Sequence, residues 1–259
     1  MFEELYAPLP DTGAYLRRIG LSEAPPTDLA GLCTLVRAHQ QHVPFENYEL
    51  CAENGHIDIG VEHLFDKVVN RRRGGYCFEL NGLFCAFLEA LGFEVYPVLA
   101  RIYGNMDHPA PLHRGTVILI DGNEYFADVG FGGPMPAGAI LMEDGAVTET
   151  SNGVYRFEER PEHRWLLSRQ ENGQWMDMLG FSAHPSELTD FVAPNYYCSD
   201  SPMSFFRMAR LANIYRPDGF VSLMNDDLKI VSSSGTRQRK ITREEEPEVL
   251  REYFGIVLG

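Results

Sequence analysis

The hydrophobic period of this chain changes once, and that change limits the folds open to it. Up to about residue 92, apolar residues recur at helical spacing. From Glu94 to about Phe181 they fall in short runs rich in Val, Ile, Tyr, Phe and Trp. These runs are separated by Asp121-Gly122, Asp144-Gly145, Asn152-Gly153 and Asn172-Gly173. Such dipeptides supply the positive φ of tight hairpin turns, so this stretch predicts an antiparallel sheet closed into a barrel or sandwich. The expected class is α+β.

The helical part divides at its caps. Asp11 can cap a helix carrying Tyr15, Leu16 and Ile19, and Thr27 a second with Leu29, Leu32, Cys33 and Val36 at helical spacing. A third places Val61, Leu64, Phe65, Val68 and Val69 on one side. It ends at Arg71-Arg72-Arg73, whose charges suit a helix C-terminus, and at Gly74-Gly75. A fourth runs from Cys77 to Leu91 with a broad apolar face. After the sheet, Ser186 to Cys198 reads as helical at first and then irregular. Leu211–Tyr215, Phe220–Met224 and Leu228–Ser232 read as strands, and Thr242 with Glu245 fits a capping box. Three subdomains are expected, packed as one unit: residues 1–92, 93–198 and 199–259.

Charge narrows the partners. With 37 Asp and Glu against 22 Lys and Arg, the formal charge is −15, which disfavours nucleic acid and anionic membranes. No run approaches the roughly 18 apolar residues of a membrane span, and Met1-Phe2-Glu3-Glu4 does not open like a signal peptide. The five cysteines lack C-x-x-C spacing, so neither a disulfide framework nor a zinc cluster is indicated, and a reducing cytoplasm is the expected setting. His39 and His42 stand three apart near a helix end, but without a third ligand they suit a solvated helix end better than a metal. No metal site is expected.

Cys77 is the most informative residue. It follows a Gly pair and opens a helix, so its sulfur would face free backbone N–H groups at the positive end of the dipole. Activated cysteines fall from about 8.5 to roughly 3.5–7.5 in such places, although a single Cys is more often a small buried hydrophobe. Cys33, Cys51, Cys85 and Cys198 fit that second description. A nucleophilic Cys needs a base, and His113 precedes the run Thr116-Val117-Ile118-Leu119-Ile120. If the following turn has two residues, Asp121 and Gly122, then residue 113 faces residue 130 and Asp128 is its diagonal neighbour on the same face. A three-residue loop would put Asp128 on the opposite face. Register therefore decides whether a Cys-His-Asp relay can form.

Several segments resemble the arylamine N-acetyltransferases. Arg73-Gly74-Gly75-Tyr76-Cys77-Phe78-Glu79-Leu80-Asn81 resembles that family's R-G-G-x-C-x-E-x-N signature, and Val43-Pro44-Phe45-Glu46-Asn47 its P-F-E-N segment. Asp128-Val129-Gly130-Phe131-Gly132 matches D-V-G-F-G, and Phe254-Gly255-Ile256 resembles its C-terminal F-G-I. The resemblance implies a helical bundle, a central antiparallel β-barrel and a C-terminal α/β lid. It implies Cys77 as acyl-accepting nucleophile, His113 as base and acid, and Asp128 as orienting carboxylate. Phe45, Phe131 and Phe206 fall where acceptor-lining aromatics are expected, and Arg73 with Glu46 where a structural ion pair is. Acetyl-CoA is the implied donor, with Gly132, Gly133 and Arg114 as candidates for holding coenzyme A against the overall acidity.

Two departures bear on the substrate mouth: Arg114-Gly115 replaces a more aliphatic run, and Cys198 to Phe206 keeps P-x-S-x-F without the usual S-T-H-P lead-in. The implied reaction is ping-pong transfer to an aromatic amine, hydrazine or hydroxylamine. An amide synthase closing a macrolactam on a carrier-bound substrate uses the same parts, and a thioester or amide hydrolase is a weaker reading. A catalytically silent small-molecule binding protein would have no need of Cys77, His113 and Asp128 together.

Overall fold

The computed structural model describes residues 2–52, 55–104, 109–161 and 164–258. Helix α1, Thr12–Arg18, is capped by Asp11, whose carboxylate accepts the Ala14 N–H at 2.9 Å. For α2, Leu29–His42, the cap is Asp28, which accepts from Gly31 N–H at 2.8 Å. The Thr27 hydroxyl donates instead to the Leu91 carbonyl, so the expected cap moves by one residue, to the stronger acceptor. Strand β1 is Phe45–Glu46. Helix α3, Val61–Phe65, continues as a π turn over Asp66–Asn70. Helix α4, Cys77–Ala90, is buried along most of its length, and the Tyr76 N–H is accepted by Glu79 Oε2 at 3.0 Å. Being apolar nearly all round, α4 is the central helix, with the other helices and the sheet packed around it.

Eight strands follow: β2 Glu94–Ile102, β3 His113–Ile120, β4 Asn123–Ala127, β5 Ile140–Leu141, β6 Val147–Thr150, β7 Gly153–Arg160, β8 Arg164–Glu171 and β9 Gln174–Ser182. Their antiparallel order is β5-β4-β3-β2-β9-β8-β7-β6. The two edge strands are chain neighbours joined through Asp144-Gly145, so the sheet curls into a nearly closed barrel. Asp144-Gly145 thus connects the sheet's edges rather than a hairpin. Phe126 stacks on Phe181 at 5.1 Å and meets Phe157 edge-on inside the barrel. A Cβ at residue 115 would stand 2.5 Å from the Phe126 ring, which accounts for Gly115.

The chain then returns to the helices. Leu188–Phe191 form a 3-10 turn and α5 spans Val192–Asp200, the reverse of the expected order. Pro194 falls in the first turn of α5, where its missing N–H costs no bond. Phe191 and Cys198 join the helical core. After α6, Phe205–Met208, come β10 Leu211–Arg216, β11 Gly219–Met224, β12 Asp227–Ser232 and β13 Gly235–Lys240. The last of these has no apolar alternation to announce it. It is a fully exposed Arg- and Lys-bearing edge, held by its ladder with β12. Thr242 and Glu245 exchange the two bonds of a capping box ahead of α7, Glu246–Val249.

This second sheet has the order β1-β10-β11-β12-β13. Its first strand is contributed by the N-terminal part, with Phe45 opposite Asn213 and Glu46 opposite Ala212. The C-terminal sheet is thereby tied to the helices beside Cys77. Among the described residues, no helix is long and apolar enough to cross a membrane.

Candidate active site

The β3–β4 hairpin decides the register. Ile120 faces Asn123 across a loop of Asp121 and Gly122, with φ of 51° and 78°, the positive values of a two-residue hairpin turn. His113 Nε2 and Asp128 Oδ2 are accordingly 2.6 Å apart, and both residues are buried. Asp128 Oδ1 accepts the Gly130 N–H and the Asn81 side-chain amide, each at 2.8 Å. With Nε2 engaged, Nδ1 is the His113 nitrogen left for another partner.

Cys77 is the first residue of α4, and its sulfur lies 3.8 Å from the carbonyl of Leu112, the residue before His113. A Cβ on Gly130 would come within 3.0 Å of the Cys77 Cα. That glycine lets the Asp128 loop lie against the helix start, so the helix, the β3 end and the loop converge on one buried point. Burial pushes the Cys77 thiol well above its ordinary value. Cys198 and the Asp128 carboxylate push the same way, while the backbone N–H groups of Arg114 and Phe78 pull it down. The direction is opposite to that expected from the helix terminus alone, because desolvation of a thiolate outweighs the dipole. A thiolate here therefore needs a proton acceptor and counter-charge at hand, which His113 can supply.

Asn81 stands one helical turn after Cys77 and reaches the same point. Its Nδ2 also donates to the Arg114 carbonyl at 2.5 Å, and its Oδ1 accepts the Val129 N–H at 2.9 Å. It locks α4 to β3 and to the loop that follows β4. Gln40 Nε2 holds the Asp128 and Pro136 carbonyls from the other side. Behind the site, Arg73 Nη2 is 2.7 Å from Glu46 Oε1, and the second Glu46 oxygen accepts the Tyr48 N–H. Lys67, 1% exposed, reaches Glu79 and Glu49 at 2.6 Å each.

Of the three aromatic candidates, Phe131 lies beside His113. It meets the imidazole ring edge-on at 5.6 Å, Phe45 and Phe206 are 6.3 Å apart, and Phe206 is 5.5 Å from Tyr76. Gly132 has φ of 74°, and a Cβ there would be 2.7 Å from the Phe45 ring. Gly133 lines a cavity of about 390 Å³ between the barrel and the second sheet, with Asn152, Arg169, Asn213 and Tyr215. The Arg114 side chain is not among these groups. It is buried, with its guanidinium carbon 4.4 Å over the Phe191 ring. His39 is no solvated helix end. It is wholly buried and bonded to the Tyr15 hydroxyl at 2.8 Å. Among the described residues, no cluster of His, Cys, Asp or Glu is arranged to hold a metal.

This chain is similar to known proteins over almost its whole length. An N-acetyltransferase family profile matches residues 28–259. An arylamine N-acetyltransferase of Mycolicibacterium smegmatis is 33% identical over 256 residues, 96% of this chain and 93% of that protein. The structure of the Salmonella typhimurium arylamine N-acetyltransferase superposes with a TM-score of 0.89 at 28% identity, covering 99% of this chain and 92% of that one. The Mycobacterium marinum arylamine N-acetyltransferase in complex with CoA gives 0.87 at 31% identity, covering 95% and 93%.

Proposed function

This chain belongs to the arylamine N-acetyltransferase family, and on that premise we propose that Cys77, His113 and Asp128 are its nucleophile, its base and its orienting carboxylate. The enzyme is an acyltransferase that moves an acetyl group from acetyl-CoA to the nitrogen of aromatic amines, hydrazines or hydroxylamines. The observation that carries the assignment is the buried 2.6 Å bond between His113 Nε2 and Asp128, with the Cys77 sulfur against the neighbouring Leu112 carbonyl.

In this reading the proton of Cys77 passes to His113 Nδ1, and the imidazolium formed is stabilised by Asp128. The sulfur attacks the thioester carbonyl of acetyl-CoA. The Cys77 backbone N–H, with the Arg114 N–H that already acts on the sulfur, is suited to the oxyanion. CoA leaves with the proton of His113, giving an acetyl-Cys77 thioester. The amine then attacks that carbonyl, His113 takes its proton, and the amide departs as the thiolate re-forms. A neutral aromatic amine is suited by Phe45, Phe131 and Phe206.

For the donor, the cavity at Gly133 supports a place for the nucleotide end of CoA. Arg169 brings a guanidinium there, paired through Nη1 with Glu171 at 2.7 Å but with its buried Nε free of a hydrogen-bond partner. Residues 1–92, 93–198 and 199–259 then contribute the nucleophile, the His-Asp pair and the cover that keeps water from the thioester. A free catalytic thiol suits a reducing cytoplasm.

The test is mass spectrometry after incubation with acetyl-CoA alone. One acetyl group is expected on the Cys77 peptide. Cys77→Ala should abolish both adduct and transfer, while Cys85→Ala keeps transfer within about three-fold. An adduct on another cysteine, or equal losses in both variants, would refute the assignment.

A further inference from the structure

The Arg114 side chain leaves the catalytic residues altogether and crosses to another face of α4. There it borders a second cavity of about 310 Å³. Gly82 stands in the middle of α4, where glycine costs about 1 kcal/mol. A Cβ at that position would come within 2.9 Å of the Arg114 guanidinium, so the helix is built around this cation. The guanidinium stacks on Phe191 and bonds to the Cys85 thiol, and its buried Nε has no hydrogen-bond partner. Among the described residues no carboxylate forms an ion pair with it. Glu89, exposed at the cavity rim, acts on it only through space. A buried guanidinium without an anion is costly unless one is supplied.

We propose that this cavity is a second binding site, separate from the catalytic centre, for a small organic carboxylate whose apolar body fills the cavity and whose carboxylate meets Arg114. The apolar part of the wall includes Leu5, Val61, Leu64, Ala86 and Leu188, with Ser186 and Glu187 on the polar side, and it suits a single ring or short branched chain rather than a hydrated inorganic ion. A guanidinium offers paired donors to a planar carboxylate. Glu89 and Glu187, both exposed and lining the cavity, oppose a doubly charged anion more than a singly charged one. Occupancy would be felt at the catalytic centre through the backbone of the same residue. The Arg114 carbonyl accepts from Asn81 and its N–H acts on the Cys77 sulfur.

The probe is benzoate, titrated by isothermal calorimetry into the full chain, with inorganic phosphate as comparison. One saturable site is expected in the wild type and equally in Cys77→Ala, which makes the result independent of the catalytic assignment. Arg114→Met should weaken binding about ten- to a hundred-fold, the loss of one charge-assisted pair. Ala86→Phe, which fills the cavity and keeps the cation, should abolish binding and serves if Arg114→Met does not fold. Glu89→Gln should tighten it. Absence of saturable binding up to about 10 mM, or phosphate binding as tightly as benzoate, would overturn the proposal. So would benzoate binding that survives Arg114→Met or Ala86→Phe, or that an arylamine displaces.

Discussion

Replacing Asn81 by Ala tests whether the catalytic geometry depends on a single side chain between helix and hairpin. Asn81 is wholly buried and makes three bonds: to Asp128 Oδ1 at 2.8 Å, to the Arg114 carbonyl at 2.5 Å and from the Val129 N–H at 2.9 Å. The substitution strands two buried backbone groups and removes one of the two bonds to a buried carboxylate oxygen. Each stranded group costs about 1–3 kcal/mol, and relaxation or an entering water recovers part. A net loss of about 3–6 kcal/mol is expected, which for a chain of this size lowers Tm by roughly 6–20 °C. Asp128 keeps its Gly130 N–H bond but gains freedom to turn. kcat with an arylamine acceptor should therefore fall about ten- to a hundred-fold, with a smaller change in KM. Differential scanning fluorimetry and a steady-state acetylation assay at a temperature where the variant is folded read both effects. A Tm within about 2 °C of wild type together with kcat within about two-fold would show that Asn81 does not hold the triad.

Three further perturbations follow from the same contacts. Lys67→Met leaves the buried Glu79 carboxylate without its cation and should cost about 3–5 kcal/mol in chemical denaturation, partly restored by adding Glu79→Gln; a loss no larger than for the exposed Lys240→Met would refute that. Burial, with Arg18 and His42 adding to it, lowers the His39 pKa to about 3 from 6.5. The unfolded chain thus takes up this proton near pH 6.5 and the folded chain does not. Its contribution is complete above pH 6.5 and is lost as the pH falls toward 3. His39→Phe should flatten the decline of unfolding free energy between pH 7 and 4, and an unchanged slope would mean that other groups cause it. Gly132→Ala forces a Cβ against Phe45 in left-handed backbone and should cost about 1–3 kcal/mol while raising the acceptor KM more than it lowers kcat, as steady-state kinetics would read.

Much of the site was legible because its parts obey local rules. Cys77 opens a helix after two glycines, and His113 and Asp128 flank a run whose turn residues, Asp121 and Gly122, favour a two-residue loop. What that reading missed was set by distance in space. Cys77 reads as a helix terminus with a depressed thiol, yet burial reverses the direction of its shift. His39 looked solvated because it is polar near a helix end, but Tyr15 supplies a partner 24 residues away. Strand β13 carries no apolar signal and exists because β12 offers it a ladder.

Arg114 shows the division most clearly. Sequence places it beside His113 and makes it a candidate for coenzyme A. A strand alternates its side chains, and the packing of β3 on α4 sends this one toward Gly82 and Cys85 instead. The amino-acid sequence by itself determined the α+β class and the order of its parts, and it singled out the three side chains proposed to react, because periodicity, turns and caps act over a few residues. Only the tertiary structure decided which groups are buried, which face which cavity and how far a proton is held. Those depend on desolvation and on contacts between residues far apart in the chain.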